Sequence, residues 1–412
     1  MNSQTEPPRT GRSIGLVASG AVVGQAVAAG GILVLARLYS PGEFGEFAVM
    51  VAIAAVVGVC CAGRLDAAIP LPEAAAAAAD LTLISLRIAG LFTAVGGTGW
   101  LVGVLLNAPS LAATLAAGVA AGGAMCLVQT LNQWAIRRHE FKRIALRNAT
   151  LPIGIVLLQV VCRFLIGPRW GLDLGYFLSY VVTAVFLALG SDLPAQLSQR
   201  ARTALTGYGS FPKHLAPAGA LNSLGMQMPV LLVSGCFGSA VAGWYGMTQR
   251  AVAMPLALIG TATGQVFLSQ AAVAARENRE KLRRLFGQVS RRLGVVALLV
   301  AVGVPMFAPL VFPWLLGSQW QEAGIYAAIL APGLALQLLA VPLSQTLVVL
   351  GRTRTQFLWD LGRVVLLGGL WLLAATGLRP RGAIVGIGLI TVIAYGALWA
   401  LNASSVRRAA SS

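Results

Sequence analysis

Apolar runs of membrane-crossing length alternate along this chain with short polar gaps. The runs number twelve: 14–36, 44–63, 81–106, 111–136, 149–167, 171–190, 215–237, 239–271, 293–316, 321–350, 357–377 and 383–401. About 20 apolar residues carry one helix across a bilayer core. Inside lipid the backbone must satisfy its own hydrogen bonds, which leaves helices or closed barrels, and runs this long predict helices. The chain therefore reads as an all-α polytopic membrane protein of about 12 transmembrane helices, without room for a separate soluble domain. The first run exceeds a signal-peptide core and has Arg37 beyond it, so it is predicted to stay as a helix. The fifth and sixth runs are short and part at Pro168–Arg169–Trp170.

Charge then orients the array. Every second gap is basic: Arg9 and Arg12 before the first run; Arg64; Arg137, Arg138, Lys142, Arg143 and Arg147; Arg200, Arg202 and Lys213. The same side continues with Arg276, Arg279, Lys281, Arg283, Arg284, Arg291 and Arg292, then Arg352 and Arg354, then Arg407 and Arg408. The alternate gaps hold Arg37, Arg169, Arg379 and Arg381. This is the positive-inside pattern, and it predicts cytoplasmic termini. The net charge of +17 is thus a topology signal and not a nucleic-acid footprint. Hydrophobic residues at 57% and charged residues at 10% exclude a water-soluble globule. Tryptophans near run ends, such as Trp134, Trp170, Trp244, Trp320 and Trp359, suit interfacial anchoring. Cys60, Cys61, Cys126, Cys162 and Cys236 sit in apolar runs without metal-type spacing and read as small buried hydrophobes.

The longest gap, 191–214, contains Asp192, Pro194, Ser198 and Gly207 and reads as a cytoplasmic linker. It divides the chain into an N-terminal six-helix lobe (1–190) and a C-terminal six-helix lobe (215–412). A faint echo at an offset of 198 residues pairs Leu33 with Leu231 and Gly45 with Gly243, as parallel repeats would. Two basic segments are also amphipathic. In 279–293, Leu282, Leu285, Phe286, Val289 and Leu293 recur at helical spacing; in 137–147, Phe141, Ile144 and Leu146 do so. Both are expected to lie on the inner leaflet against anionic membrane lipids, and both serve equally as topology determinants.

Several segments carry a resemblance. Leu35-Ala-Arg-Leu-Tyr-Ser-Pro-Gly-Glu-Phe-Gly-Glu-Phe47 resembles the opening of bacterial polysaccharide (O-antigen type) flippases. Gly63-Arg-Leu-Asp-Ala-Ala-Ile-Pro-Leu-Pro72, Leu131-Asn-Gln-Trp-Ala-Ile-Arg-Arg-His-Glu-Phe141 and Ala242-Gly-Trp-Tyr-Gly-Met-Thr-Gln-Arg-Ala-Val-Ala-Met-Pro255 are similar to segments of the same family, in the same order. The resemblance implies a member of the multidrug/oligosaccharidyl-lipid/polysaccharide exporter superfamily. It implies two six-helix lobes around a V-shaped central cavity. It further implies a bacterial inner-membrane flippase that carries undecaprenyl-pyrophosphate-linked oligosaccharide from the cytoplasmic to the periplasmic leaflet, without a cofactor. A polysaccharide polymerase or assembly machinery would be the partner.

Moving such a cargo is hardest for its anion. Arginine at bilayer depth is costly unless it faces water or a partner, and its planar fork suits phosphate. Arg87, Arg163, Arg250 and Arg363 lie inside runs and are the candidate pyrophosphate ligands. Arg87, Arg163 and Arg363 lie within snorkelling reach of a run end, whereas Arg250 lies deeper. Asp360 stands three residues from Arg363, either neutralising it or serving as a coupling-ion site. Arg64 and Asp66 are candidates for a cytoplasmic gate or a plain interfacial pair. Gln25, Gln129, Asn132, Gln133, Gln227, Gln249 and Gln265 suit sugar hydroxyls or interhelical hydrogen bonds.

Other classes fit less well. His139 and His214 lie in basic loops away from any carboxylate cluster except Glu140, and no paired carboxylates, Ser/His/Asp set or glycine-rich phosphate loop stands out as the site an embedded polymerase needs. A drug/cation antiporter of the same superfamily would want acids in its spans, where this chain has more arginines.

Overall fold

The computed structural model describes residues 10–106, 110–193, 196–199 and 201–411; Arg9, Pro194 and Arg200 lie outside them. The described residues form helices and no strand. In chain order these are α1 (Thr10–Leu38), α2 (Pro41–Cys60), α3 (Ala75–Leu105), α4 (Ser110–Arg137), α5 (Phe141–Leu165) and α6 (Pro168–Ala188). Next come the short α7 (Ala201–Gly207), then α8 (Ala216–Phe237), α9 (Ser239–Thr248), α10 (Met254–Glu277) and α11 (Arg279–Leu316). The chain finishes with α12 (Gln321–Leu343), α13 (Gln345–Val349), α14 (Thr353–Ala375) and α15 (Pro380–Ser411). Each apolar run becomes one of twelve helical segments long and apolar enough to span a bilayer, with α9 and α10 together making the eighth.

Local chemistry sets several boundaries. Ser40 and Glu43 form a capping box at the start of α2: the Ser40 N–H donates to Glu43 Oε2 at 2.7 Å, and the Glu43 N–H donates to Ser40 Oγ at 3.4 Å. Such a pair satisfies two of the helix's orphan donors. The break between α5 and α6 falls at Gly167, whose φ of 103° no β-carbon favours, with Pro168 opening α6. Asn278 caps α11 by accepting from the Glu280 N–H at 2.8 Å.

The chain packs as two compact units, Met1–Tyr39 with Val49–Ser223, and Ser40–Ala48 with Leu224–Ser412. The division falls within two helices, so α2 begins in the second unit and α8 begins in the first. In the first unit α3 packs on α4, and α5 on both α1 and α6. The stretch after α6 is fastened to that unit. Ser198 donates its N–H and hydroxyl to the buried Asp80 carboxylate at 2.7 and 2.5 Å. Leu193, Tyr208 and Phe211 pack on a cluster built from Leu65, Ile69, Leu81 and Trp134.

The two amphipathic segments behave differently from the expectation. Neither is a separate helix. Residues 279–293 are the opening turns of α11, which runs unbroken to Leu316. Leu282 and Phe286 are buried in a cluster with Phe267, Ala271, Ala274, Leu343 and Val406. Likewise Phe141 opens α5, and Ile144 is buried. An apolar stripe at helical spacing fits a protein partner as well as a lipid one; the protein supplies it for Leu282 and Phe286, whereas Leu146 of the other stripe stays exposed. Basic residues of the same loop bind the protein too. Arg137 donates to the Ile69 and Pro70 carbonyls, and Arg143 to the carbonyls of Leu187, Leu189 and Gly190 at the end of α6. Guanidinium groups suit helix C-terminal carbonyls, where the helix dipole is negative.

In the second unit α12 lies against α10, α11 and α15, burying Trp320, Tyr326 and Leu343. Helices in lipid gain little from the hydrophobic effect and associate through close packing of small residues. The start of α2 and α9 carry this furthest. A β-carbon on Gly45 would overlap the Ser239 carbonyl, and one on Gly243 would overlap the Pro41 carbonyl. These are the two glycines paired by the sequence echo, and their backbones touch.

Candidate functional site: arginines of the second unit

Arg250 sits where its helix changes geometry. Residues Gln249–Ala253, between α9 and α10, form a π-helical turn. Such turns displace side chains from the α-helical register and are frequent at functional positions. Arg250 lies eleven residues beyond Ser239, about 16 Å along the span at 1.5 Å per residue. Its guanidinium lies over the ring of Phe47, 4.3 Å from the centroid, and 5.7 Å from that of Phe44. Both phenylalanines belong to the opening of α2 and are buried. Cation–π contact of this kind contributes about 0.5–2 kcal/mol, more when desolvated.

A few residues away lies a polar cavity of about 100 Å³. It is lined by Gly225, Tyr245, Gln249, Gln337, Arg363, Thr391 and Tyr395, with Leu330, Leu334, Leu367, Ile387 and Ile390 among its apolar walls. Arg363 is 7% exposed. It donates Nη1 to Tyr395 Oη at 3.0 Å, places Nη2 3.5 Å from Asp360 Oδ1, and lies 4.9 Å from the Trp359 ring centroid. Gly225 makes room for it, since a β-carbon there would stand 2.9 Å from Nη2. Asp360 also receives Gln356 Nε2 at 3.4 Å. Trp359 is held by its indole N–H on the Ala394 carbonyl at 2.6 Å, and Gln249 donates to Tyr245 Oη at 2.5 Å. Among the described residues Arg363 Nε is buried without a hydrogen-bond partner. A buried ion pair this long gives each charge incomplete compensation, so the polar lining matters to it.

The remaining candidates have other surroundings. Arg163 donates Nε to the carbonyl of Leu38, the last residue of α1, at 2.9 Å, and lies 5.7 Å from the Tyr39 ring centroid. Tyr39 in turn donates to the Gln159 carbonyl at 2.7 Å. Arg87 is exposed, one turn from Leu91 and two from Val95 on an outward stripe of α3. Arg64 has φ of 60° and precedes a short 3-10 turn, Leu65–Ala68. Asp66 in that turn is buried, and burial raises its carboxyl above the usual range, against the opposing pull of Arg64 and backbone donors. The turn packs on the 211–215 segment, with Gly63 against Pro212. Among the described residues no group of three His, Cys, Asp or Glu side chains could hold a metal, and all five cysteines are free thiols.

Sequence reasoning singled out Arg250, Arg363, Asp360 and Gln249 but missed Phe44, Phe47, Trp359 and Tyr395. Phe44 and Phe47 stand three apart in the Gly-Glu-Phe repeat of α2, one helical face, which was a readable signal. Nothing in the sequence pairs Tyr395 with Arg363, thirty-two residues away on another helix.

A family model described as "Polysaccharide biosynthesis protein" matches residues 34–324. No curated protein sequence matches the chain. Solved structures share its fold. An inward-facing multidrug resistance MATE family transporter of the MOP superfamily aligns with a TM-score of 0.72 at 16% identity, covering 95% of this chain and 99% of that one. The lipid II flippase MurJ, in an inward closed conformation, aligns with a TM-score of 0.70 at 10% identity, covering 96% and 90%. A MOP superfamily transporter from Pyrococcus furiosus, reported with a binding pocket of reversed polarity, aligns at 0.55 and 17% identity, covering 96% of each chain.

Proposed function

The chain belongs to the polysaccharide biosynthesis protein family, and from that premise we propose that it is a flippase for a lipid-linked oligosaccharide. The cargo is undecaprenyl-pyrophosphate-linked glycan, carried from the cytoplasmic to the periplasmic leaflet of a bacterial inner membrane by alternating access of two lobes. In this reading both termini are cytoplasmic, the orientation the positive-inside rule favours for this distribution of basic residues. The same reading makes a polysaccharide polymerase or assembly machinery the downstream partner. The fold it shares with a multidrug transporter and a lipid II flippase fits a carrier and not an enzyme.

One observation carries the reading. A guanidinium is held about 16 Å into a span, on a π-helical turn, by aromatic rings. Arginine at bilayer depth marks a wet cavity or a charged partner, and a guanidinium with its plane set by rings is suited to add a pyrophosphate to the contacts it already makes. The fork would grip two phosphate oxygens while the neighbouring amides and hydroxyls meet sugar. Arg250 is the primary grip, and Arg363, already partnered by Asp360, tunes the polar region beside it. Asp360 is correspondingly assigned to Arg363 ahead of a coupling ion. Arg163 and Arg87 are assigned to helix anchoring and headgroup contact, and Arg64 with Asp66 to the turn that closes the cytoplasmic end of α2.

The test is glycan export normalised to membrane-inserted protein. Arg250→Ala should lose at least tenfold in export per molecule while inserting normally. Arg250→Lys should recover part of it, because a point charge replaces a fork. Unchanged export per molecule in Arg250→Ala removes Arg250 from the site.

A further inference from the structure

Residues Ser40–Ala48 pack with the second unit, although α2 from Val49 onward packs with the first. They form a strap with three fastenings. The Ser40–Glu43 box fixes its helical start. Gly45 and Gly243 let its backbone touch that of α9, with no space for a β-carbon at either position. Phe44 meets Trp320 edge-on, ring centroids 5.1 Å apart, and Phe44 and Phe47 together lie beneath the Arg250 guanidinium.

The third fastening has a chemical consequence. A guanidinium stacked on a ring uses its flat face there and keeps its in-plane N–H donors for oxygen acceptors. The ring thereby fixes the plane of the fork without occupying the donors an anion needs. We propose that Phe47, assisted by Phe44, is a positioning residue for the Arg250 anion grip, and that strap docking and pyrophosphate binding strengthen each other. This rests on the reading of Arg250 given above. The coupling is reciprocal by thermodynamic necessity. If the docked strap orients the fork for the anion, the bound anion holds the strap docked. A loaded carrier would keep the first turns of α2 fastened to α9, and departure of the anion would release them.

The strap offers a direct probe. A β-carbon on Gly42 would stand 3.7 Å from Ser239 Oγ, within disulfide range for a Gly42→Cys, Ser239→Cys pair in an otherwise cysteine-free chain. The rate of 42–239 disulfide formation in detergent-solubilised protein then reports docking. Farnesyl pyrophosphate should raise that rate several-fold, and farnesol should not. Phe47→Leu retains an apolar side chain but removes the ring; it should weaken farnesyl pyrophosphate binding roughly twofold to thirtyfold and abolish the response of the cross-link. In an Arg250→Gln background, Phe47→Leu should cost no further affinity, which a packing role alone would not predict. Pyrophosphate binding with a cross-linking rate indifferent to it overturns the coupling and leaves the Arg250 reading standing. Parental affinity in Phe47→Leu overturns the positioning role. Absence of farnesyl pyrophosphate binding in the parent overturns both.

Discussion

Arg163 and Arg363 look alike in the sequence, each a single arginine inside an apolar run, yet their surroundings are opposite. Arg163, in the first unit, gives its Nε to the last carbonyl of α1 and rests on Tyr39. Its partner is main chain at a helix end, so the side chain completes a fold that already exists. Arg363, in the second unit, is surrounded by the side chains of Asp360, Tyr395 and Trp359 and opens onto a polar cavity. Its partners are side chains, two of them ionisable, Asp360 and Tyr395. An intramembrane arginine is therefore not by itself a functional signal. The partner decides, and helix-end carbonyls are a common and quiet one.

The sharpest way to break that contrast is to remove Arg363. Arg363→Ala leaves the Asp360 carboxylate buried without its cation, which should cost about 3 kcal/mol or more of stability. Thermal unfolding in detergent, followed by size-exclusion of the soluble fraction, should show this, and adding Asp360→Asn should restore much of the loss. If Arg363→Ala alone melts like the parent, the pair is not compensating charge. Arg163→Ala should have a smaller effect, at most about 1.5–3 kcal/mol for one charged hydrogen bond to a carbonyl. Glycan export per inserted molecule should stay at the parental level. A tenfold fall in that ratio would place Arg163 among the transport residues and erase the distinction between the units.

The smallest effect expected concerns Asp66. Its carboxyl titrates above the usual range because it is buried, so the folded state holds the proton more tightly than the unfolded chain. Between the two pKa values stability therefore falls as pH rises. Asp66→Asn should raise the melting temperature slightly at pH 7, with the advantage shrinking toward pH 4. A variant that is instead less stable at pH 7 would mean that the attraction to Arg64 outweighs desolvation.

The number of spans and their order were legible in one dimension. Run length and charge are summed along the chain, and the bilayer imposes a single length scale on every run. The break between the fifth and sixth runs was equally local, although it falls at Gly167, one residue before the expected Pro168–Arg169–Trp170. The family was also within reach, because short segments near α2, α4 and α9 kept their order. What the sequence could not set was partnership between distant helices. The stripe Leu282–Phe286 has the same spacing whether it meets lipid or the side chains of α10 and α15, and only packing chose the protein. Phe44 and Phe47 came to Arg250 because the start of α2 sits with the second unit, although the rest of that helix does not. The register of Arg250 itself depends on a π-helical turn, which a period of 3.6 residues does not foresee. Hydrophobic length and charge are properties of single residues added together, whereas a binding geometry is a property of side chains that meet only once the helices have packed.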